Sequence, residues 1–282
     1  MRQRLLSAAI LVPIVVALFV IGDPWLWLAI AVLAALAAYE TARLVRAAGL
    51  PADTWLAVIL APLVVILLPG LVGPGSVEIG PQLVAPAAAL LVLLPAIPAL
   101  RHRDPATGLR AWIATLLATA YPSLLAFAAA LLTFSRAALE RPLPLGIDAG
   151  RSWLLVLVLA VWALDSAAYV VGRAYGRGAF FRHISPKKTW SGAIGGTLAG
   201  VSVAALLSEL LFADPLLGAG FGVVVTVSAQ AGDLAESMLK RAAGVKDSGT
   251  LIPGHGGFLD RLDSFLFAAP LAWLYLVVTG VV

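Results

Sequence analysis

The sequence predicts an all-α, polytopic membrane protein with about nine transmembrane helices. Three observations lead to this fold class. Of the 282 residues, 61% are hydrophobic and only 12% are charged, whereas a soluble domain carries about 25% charged residues. Apolar runs of roughly 20 residues, the length that crosses the hydrocarbon core as a helix, follow one another along the chain. The basic residues gather in alternate connections between these runs.

The first apolar run begins with basic residues, as a secretory signal does. However, Asp23-Pro24-Trp25 follows it in place of a cleavage site with small residues, so we interpret it as an uncleaved span. Tyr121-Pro122 predicts a kink in the fifth span, and the eighth span carries charges. These two spans are the least regular, and eight or ten spans are the alternative counts. The predicted spans cover residues 5–22, 25–45, 54–72, 82–100, 111–134, 152–172, 192–212, 216–239 and 264–281.

The distribution of Lys and Arg tests this count independently. With nine spans, 16 of the 19 Lys and Arg residues lie on the same side as the N-terminus, and only Arg136, Arg141 and Arg151 lie on the other. The positive-inside rule makes the basic side the cytoplasm. We therefore expect a bacterial inner (plasma) membrane protein with a cytoplasmic N-terminus and an external C-terminus.

The chain divides into two parts. Residues 1–134 are predicted to form about five N-terminal spans, and residues 135–282 to form a catalytic region of about four spans. Two connections on the cytoplasmic side, 173–191 and 240–263, are longer and richer in polar residues than simple turns. We expect them to form a cytoplasm-facing active-site cavity.

The chain has no cysteine, which excludes disulfides, thiolate metal sites and a cysteine nucleophile. With three histidines in the whole chain, a bound metal would be held mainly by oxygen. Oxygen ligands favour a hard cation such as Mg²⁺.

Polar residues on one helical face mark the end of the eighth span. Gln230, Asp233, Ser237 and Lys240 recur at the spacing of a single face, and Glu236 borders it. Because carboxylates at membrane depth are costly, they normally face a cavity, an ion or a partner. The alternative is a structural ion pair of Lys240 with one of the two acids.

The following segment combines glycines, bases and acids. Lys246-Asp247 precedes Pro253-Gly-His-Gly-Gly257, and Asp260-Arg261 and Asp263 follow. Closely spaced glycines let the backbone approach an anion, bases neutralise phosphate oxygens, and aspartates hold Mg²⁺ against those oxygens. Taken singly, Asp263 could cap a helix and Arg261 could follow the positive-inside rule.

The connection after the sixth span has a similar character. Ser185, Lys187, Lys188 and Thr189 offer two cations and two hydroxyls to a phosphate-rich ligand. Asp165, near the inner end of that span, is either a functional acid or an acid hydrogen-bonded between helices. Trp190 is more typical of an interfacial anchor than of a ring that stacks on a base. The roles of His183 and Glu236 are left open.

These segments resemble the signature of the phosphatidate cytidylyltransferase (CDP-diacylglycerol synthase) family. The resemblance covers residues 237–263 with the family's spacing, and extends to 165–177 and 184–190. Ser191 departs from the pattern, since the family often has Glu there, which removes support for an acid at this position. The N-terminal half resembles the family only in hydropathy and in its Arg-rich start.

The resemblance implies cytidylyl transfer from CTP to phosphatidate within the bilayer, with Mg²⁺, a second cation for which K⁺ is the candidate, and a homodimer. No nucleic-acid partner is expected. We expect Asp233 and Asp260 to hold the metal, with Asp247 and Asp263 as further ligands or orienting groups. The catalytic set is Asp233, Asp260, Lys240, Arg261 and Asp263.

The remaining candidates bind substrate. Lys240, Arg241, Lys246 and Arg261 would surround the triphosphate and the leaving pyrophosphate, and Lys187 and Lys188 would hold the lipid phosphate or the triphosphate. His255 would donate to a phosphate or orient a ligand. The substrate-binding set is Ser185, Lys187, Lys188, Thr189, Ser237, Arg241, Lys246, Asp247, His255, Gly256 and Gly257.

Two rival functions remain. A CTP-dependent lipid kinase of the dolichol kinase type resembles this family in its CTP-binding region, but the Ser-Pro-Lys-Lys-Thr-Trp segment favours the cytidylyltransferase. A transporter would be expected to show inverted repeats and functional charge on both faces, and neither is apparent. The sequence has no GxxxxGK[ST] loop and no GxGxxG fingerprint, so nucleotide binding would use these connections.

Overall fold

The computed structural model of the protein describes residues 2–72, 80–134, 147–252 and 256–281. Within these ranges the chain folds into eleven helices joined by turns and short connections, and no strand forms among them. The helices are α1 (Arg2–Ile21), α2 (Trp25–Ala47), α3 (Thr54–Val72), α4 (Gly80–Leu93), α5 (Ala96–Ala99), α6 (Pro105–Ser123), α7 (Ala126–Leu131), α8 (Ala149–Tyr175), α9 (Trp190–Phe212), α10 (Pro215–Ala242) and α11 (Leu259–Val278).

Eight helical segments among the described residues are long and apolar enough to cross a membrane. They match the second to ninth predicted spans, so the prediction of a polytopic all-α membrane protein is confirmed. The first predicted span falls on α1, of which only the short apolar stretch Val12–Ile21 enters this comparison. Its crossing of the membrane therefore stays a prediction.

The predicted kink at Pro122 is confirmed. Helix α6 ends at Ser123 and α7 begins at Ala126, because Pro122 has no N–H to donate and its ring crowds the preceding turn. Across the break, Leu124 N–H donates to the Tyr121 carbonyl at 3.3 Å and Leu125 N–H to the Pro122 carbonyl at 3.2 Å.

Helix α6 begins six residues before the predicted start at residue 111. Asp104 precedes it as N-cap, accepting from the backbone N–H of Thr107 at 2.9 Å, and Pro105 occupies the first helical position. Hydrogen bonds from the side chain and backbone of Thr107 hold the pKa of the Asp104 carboxyl below its usual value. A capped N-terminus of this kind makes the helix longer than its apolar run.

The predicted connection 240–263 is shorter in the structure. Helix α10 continues to Ala242, and α11 already begins at Leu259. Asp260 and Asp263 therefore lie on the first turns of α11 and not in a loop. The hydropathy pattern places the boundary too late because the first turn of α11 is polar.

The first of two compact units contains residues 1–130 and 239–262. Its core is made of alanines spaced four residues apart on α2, α3 and α6, and all of them are fully buried. Small side chains on one face allow helix backbones to approach closely, which is how helices associate in a membrane. The core alanines are Ala38, Ala42, Ala57, Ala61, Ala114 and Ala118.

The second compact unit contains residues 131–238 and 263–282. In this unit Gly192, Gly196 and Gly200 form a row along α9 that faces α8. A Cβ atom on Gly196 would lie 2.7 Å from the Leu164 carbonyl oxygen, and one on Gly192 would lie 2.8 Å from that of Ala168. Only glycine permits this close contact.

Large apolar side chains point outward from the helices of both units. Ile59 and Leu67 on α3, and Ile194, Leu198 and Leu206 on α9, are each more than half exposed. A soluble monomer rarely exposes apolar patches of this kind, whereas lipid-facing surfaces require them.

Candidate active site

A cavity of about 390 Å³ lies in the second unit, bordered by α8, α9, α10 and the connection between α8 and α9. This volume is in the range of small-molecule sites. Charged side chains concentrate in its lining, which is unusual among membrane-spanning helices and typical of a functional site. The charged lining residues are Asp165, Arg173, Lys187, Lys188 and Asp233.

Lys188 and Asp233 form an ion pair in this cavity. Asp233 also accepts a hydrogen bond from Ser237 Oγ at 3.4 Å, one turn further along α10. The two charged side chains are 26% and 31% exposed, so water screens the pair and its net contribution to stability is small. Lys188 can therefore exchange the carboxylate for a phosphate group at little cost.

Three of the four residues predicted on the polar face of α10 lie in this unit, whereas Lys240 belongs to the first unit. Gln230 and Asp233 both line the cavity, and Gln230 Nε2 donates to Thr197 Oγ1 at 2.9 Å. Ser237, which is largely buried, continues the same face one turn later.

The connection between α8 and α9 holds Lys188 in place through backbone hydrogen bonds. Phe180 N–H donates to the Lys188 carbonyl at 2.9 Å, and Trp190 N–H donates to the Gly178 carbonyl at 3.0 Å. Thr189 caps α9 by accepting from Gly192 N–H at 3.2 Å. The two lysines thus directly precede a helix N-terminus, where the free N–H groups and the helix dipole favour anions.

Three further residues lie in this connection or in the first turn of α9. Ser191 Oγ accepts from Arg177 N–H at 3.2 Å and donates to the Tyr175 carbonyl at 3.1 Å, so this departure from the family pattern has a structural use. Ser185 makes a backbone turn with Lys188, and its substrate-binding role stays a prediction. Trp190 is 53% exposed, in agreement with an interfacial anchor.

A second polar cluster lies in the first unit around Asp260. Its Oδ1 accepts from Lys240 Nζ at 2.6 Å. Its Oδ2 accepts from the N–H and Oγ of Ser248 and from Gly257 N–H, each at 2.9 Å. The side chains of Lys240 and Asp260 are only 11% and 8% exposed. This pair is therefore buried and held by four donors.

Glu40 belongs to the same cluster and was not identified from the sequence. This fully buried carboxylate on α2 accepts from Phe258 N–H at 3.1 Å, Leu259 N–H at 2.8 Å and Ser248 Oγ at 2.8 Å. It therefore satisfies free N–H groups at the start of α11. A signal was present, since Glu40 is a lone acid within the second predicted span, the same criterion that singled out Asp165.

The predicted glycines lie beside these carboxylates. Gly256 has a φ of +84°, and a Cβ atom there would lie 2.6 Å from Asp260 Oδ2. At Gly257 a Cβ atom would collide with Ser248 Oγ and with both carboxylate oxygens of Glu40. Their role in the structure is to let acids approach the backbone.

The remaining bases of the predicted set lie near the ends of α10 and α11. Arg241 Nη1 donates to the Val245 carbonyl at 3.0 Å, which closes the C-terminal end of α10. Lys246 and Arg261 are exposed. Their contact with a triphosphate stays a prediction.

The remaining acids and the histidine differ in their surroundings. Asp247 is exposed, whereas Asp263 is 9% exposed and accepts from Ser264 N–H at 2.6 Å. Because Asp263 lies inside α11, it does not cap that helix. His255 lies outside the described residues.

Asp165 and Asp233 are the carboxylates that fit Mg²⁺ best, because both line the cavity. Mg²⁺ is usually held by one or two carboxylates together with substrate phosphates. Asp233 and Asp260 both already accept from protein donors, but Asp260 is the more deeply buried of the two and accepts from more groups, so metal binding there requires displacement of Lys240 from a closed surrounding. Within the described ranges, no group of three or more acidic or histidine side chains forms a metal cage. Joint ligation by Asp233 and Asp260 stays a prediction.

Comparison with known proteins finds one family and several curated relatives. A model of the cytidylyltransferase family matches residues 2–279. A phosphatidate cytidylyltransferase of Brucella suis is 46% identical over 131 residues, and that of Mycobacterium tuberculosis is 40% identical over 128 residues. The chloroplastic phosphatidate cytidylyltransferase 5 of Arabidopsis thaliana is 45% identical over 130 residues. Each match covers 45% of this chain and 47%, 39% and 32% of these relatives, respectively, which is less than half of each relative's length.

Proposed function

The chain belongs to the cytidylyltransferase family, and from this we propose that it transfers a cytidylyl group from CTP to phosphatidate, releasing pyrophosphate and forming CDP-diacylglycerol. The names of its relatives support this reaction. So does the predicted signature between residues 237 and 263. The protein is then an integral membrane nucleotidyltransferase, and its reaction belongs to phospholipid biosynthesis.

The observation that carries the proposal is the charged cavity of the second unit. Its lining joins cations from two elements, Arg173 on α8 and Lys187 and Lys188 before α9, with the carboxylate of Asp233. The helices around it expose apolar side chains to lipid. A substrate with a phosphate headgroup and acyl chains fits such a setting, because its headgroup meets cations while its chains remain in the bilayer.

The reaction joins two polyanions, so its main barrier is electrostatic. An oxygen of the lipid phosphate attacks the α-phosphorus of CTP, and the bond from that phosphorus to the bridging oxygen of the β-phosphate breaks. The phosphate monoester is already anionic at neutral pH, so little general-base catalysis is needed. Positioning and charge neutralisation then supply most of the rate enhancement.

We assign the cations to these tasks. Lys188 leaves Asp233 to bind a phosphate group, and Lys187 and the N-terminus of α9 add to the positive potential there. Lys240, Arg241, Lys246 and Arg261 remain our candidates for binding the triphosphate and the leaving pyrophosphate. Ser185, Thr189, Ser237, His255, Gly256 and Gly257 remain candidates for hydrogen bonds to substrate.

Asp233 and Asp165 are the side chains that would hold Mg²⁺, which when bound supplies positive charge to phosphate oxygens. Asp260, Asp247 and Asp263 remain proposed ligands or orienting groups. K⁺ remains the candidate for a second cation. We propose further that the protein lies in a bacterial inner (plasma) membrane as a homodimer, with its N-terminus and both catalytic connections in the cytoplasm.

The test is an assay of the purified protein with CTP labelled at the α-phosphate and with phosphatidate in mixed micelles. We expect the label in a lipid product together with pyrophosphate, dependent on Mg²⁺ and increased by K⁺. A matched reaction with a polyprenol or diacylglycerol in place of phosphatidate separates the lipid kinase, which would release labelled CDP. Absence of labelled lipid under all cation conditions would reject the proposed reaction.

A further inference from the structure

Glu40 has a carboxylate that the proposed reaction does not use. We infer that it is a positioning residue, which holds Ser248 and the first turn of α11 and thereby fixes the Lys240–Asp260 pair. The effect on turnover rests on the proposed function, whereas the effect on local structure does not.

The contacts of Glu40 join distant parts of the first unit. Its two oxygens accept from Phe258 N–H, Leu259 N–H and Ser248 Oγ at 2.8 to 3.1 Å. These partners lie more than 200 positions further along the sequence. The side chain therefore ties α2 to the segment between α10 and α11.

Burial makes these hydrogen bonds consequential. Glu40 is fully buried, and a buried carboxylate is strongly unfavourable unless hydrogen bonds compensate for lost hydration. Two of its three donors are backbone N–H groups at the start of α11, where the helix dipole also favours a negative charge. An apolar side chain of the same size would fill the space but leave those N–H groups without an acceptor.

Ser248 connects the two carboxylates. Its Oγ lies 2.8 Å from Glu40 Oε2 and 2.9 Å from Asp260 Oδ2, so its single hydroxyl proton can donate to either carboxylate, one at a time. Ser248 N–H also donates to Asp260 at 2.9 Å. A displacement of Ser248 therefore changes the surroundings of Asp260 directly.

The glycines beside Glu40 indicate that its position is closely defined. A Cβ atom on Gly249 or on Gly257 would collide with the Glu40 carboxylate. The backbone thus approaches Glu40 at two points. Such a fit specifies one location for the acid and leaves little room for another rotamer.

The experiment compares three full-length variants in detergent. Glu40→Met keeps the size but removes every acceptor, and Glu40→Gln keeps one acceptor oxygen. The matched control is Thr41→Val, on the adjacent and equally buried residue, whose Oγ1 donates only within its own helix to the Ala37 carbonyl at 2.8 Å. Thermal unfolding and size-exclusion profiles establish that each variant is folded.

The first readout is hydrogen–deuterium exchange of the peptides that contain Phe258 and Leu259. We expect exchange about tenfold faster or more in Glu40→Met, an intermediate change in Glu40→Gln and no change in Thr41→Val. This readout requires no enzymatic activity. Wild-type protection in Glu40→Met would overturn the inference even if the proposed reaction were wrong.

The second readout separates kcat from KM. We expect kcat to fall about 100-fold in Glu40→Met and about tenfold in Glu40→Gln, with the KM for CTP changed less than about threefold. A kcat that falls in steps from the wild type to Glu40→Gln to Glu40→Met would indicate that lost acceptors, and not lost volume, cause the effect.

Two outcomes would reject the inference and make Glu40 a purely structural residue. One is an equal kcat in Glu40→Gln and Glu40→Met; the other is a kcat that follows only thermal stability across all variants. If Glu40→Met does not fold, hydrogen–deuterium exchange and kcat are measured on Glu40→Gln and Ser248→Ala instead. Wild-type values of both quantities in these variants would reject the inference.

Discussion

Two acid–lysine pairs occupy the candidate regions, and they differ in nearly every physical respect. The Lys188–Asp233 pair of the second unit is about one quarter to one third exposed and faces a cavity. The Lys240–Asp260 pair of the first unit is about one tenth exposed, and its carboxylate accepts from four donors. The first pair is thus suited to exchange of partners, and the second to holding a fixed geometry.

The two pairs contain the same residue types, but breaking them should cost very different amounts of stability. Breaking an exposed pair costs about 0–1 kcal/mol because water replaces the lost partner. Removing one member of a buried pair costs about 3–5 kcal/mol because the other charge remains buried. Substitutions at the two sites can therefore separate loss of activity from loss of stability.

The largest expected effect follows Asp260→Asn. An amide cannot accept from all four donors and removes the negative charge that Lys240 contacts at 2.6 Å, so we expect a loss of about 3–5 kcal/mol in stability and of turnover beyond detection. Thermal unfolding and the labelled-CTP assay measure the two effects.

A double variant, Asp260→Asn with Lys240→Met, tests this explanation. Removal of the buried ammonium should restore most of the unfolding temperature without restoring turnover. Activity near that of the wild type in Asp260→Asn would remove Asp260 from the catalytic set.

Asp233→Asn should affect activity alone. We expect kcat/KM to fall by about 100-fold or more, since a proposed Mg²⁺ ligand is lost, with a change in stability of less than about 1 kcal/mol. The affinity for Mg²⁺, from titration of activity, should weaken in parallel.

The control for Asp233 is Asp148→Asn. Asp148 pairs with Arg151 at 2.8 Å in the same unit, and its side chain is 34% exposed against 31% for Asp233, but it lies outside the candidate site. Activity should remain within about twofold of wild type because exposed pairs contribute little. A loss of stability at Asp233 as large as that at Asp260 would contradict the contrast between the two pairs.

Lys188→Met should weaken substrate binding more than turnover. We expect the KM for CTP or for phosphatidate to rise by about 10- to 100-fold, because a charge-assisted contact to phosphate is lost. The substrate whose KM rises identifies the phosphate that Lys188 binds. Arg182→Gln, an exposed cation of the same connection, is the control, and equal effects in the two variants would point to general electrostatic attraction.

The smallest effect separates two glycines of the segment between α10 and α11. Gly257→Ala places a Cβ atom against Ser248 and Glu40, so we expect about 1–3 kcal/mol of destabilisation. Gly244→Ala meets no atom within 4 Å and carries only the strain of its φ of +71°, which costs about 1–2 kcal/mol. Because these two ranges overlap, kcat distinguishes the variants, and only Gly257→Ala should lower it. Equal kcat in Gly257→Ala and Gly244→Ala would show that displacing Ser248 and Glu40 does not affect turnover.

The sequence was sufficient for the membrane architecture and for the residues of the polar segments. Apolar runs report span positions directly, and the periodicity of α10 correctly placed Gln230, Asp233 and Ser237 on one face. The pairing of charges was not predictable in the same way. The alternative from the sequence was a pair of Lys240 with Asp233 or Glu236, its neighbours on the helix, whereas the contact of Lys240 with Asp260 joins residues twenty positions apart.

Glu40 illustrates the limit most clearly. Its partners lie more than 200 positions along the chain, and no local pattern encodes a contact at that separation. The start of α11 was placed too late because its first turn is polar, and the acceptor that satisfies its first N–H groups comes from α2. Long-range acceptors can therefore extend a helix beyond the limits that hydropathy suggests.

The row of glycines on α9 has a consequence for substrate selection. Because Gly192 and Gly196 bring the α9 backbone against carbonyl oxygens of α8, the distance between these two cavity walls is fixed by main-chain atoms and not by adaptable side chains. If the cavity binds a lipid headgroup as proposed, the backbone therefore sets the width available to that headgroup. This width can be increased in small steps by replacing a glycine with alanine, which offers a route to altered headgroup tolerance without touching a charged residue.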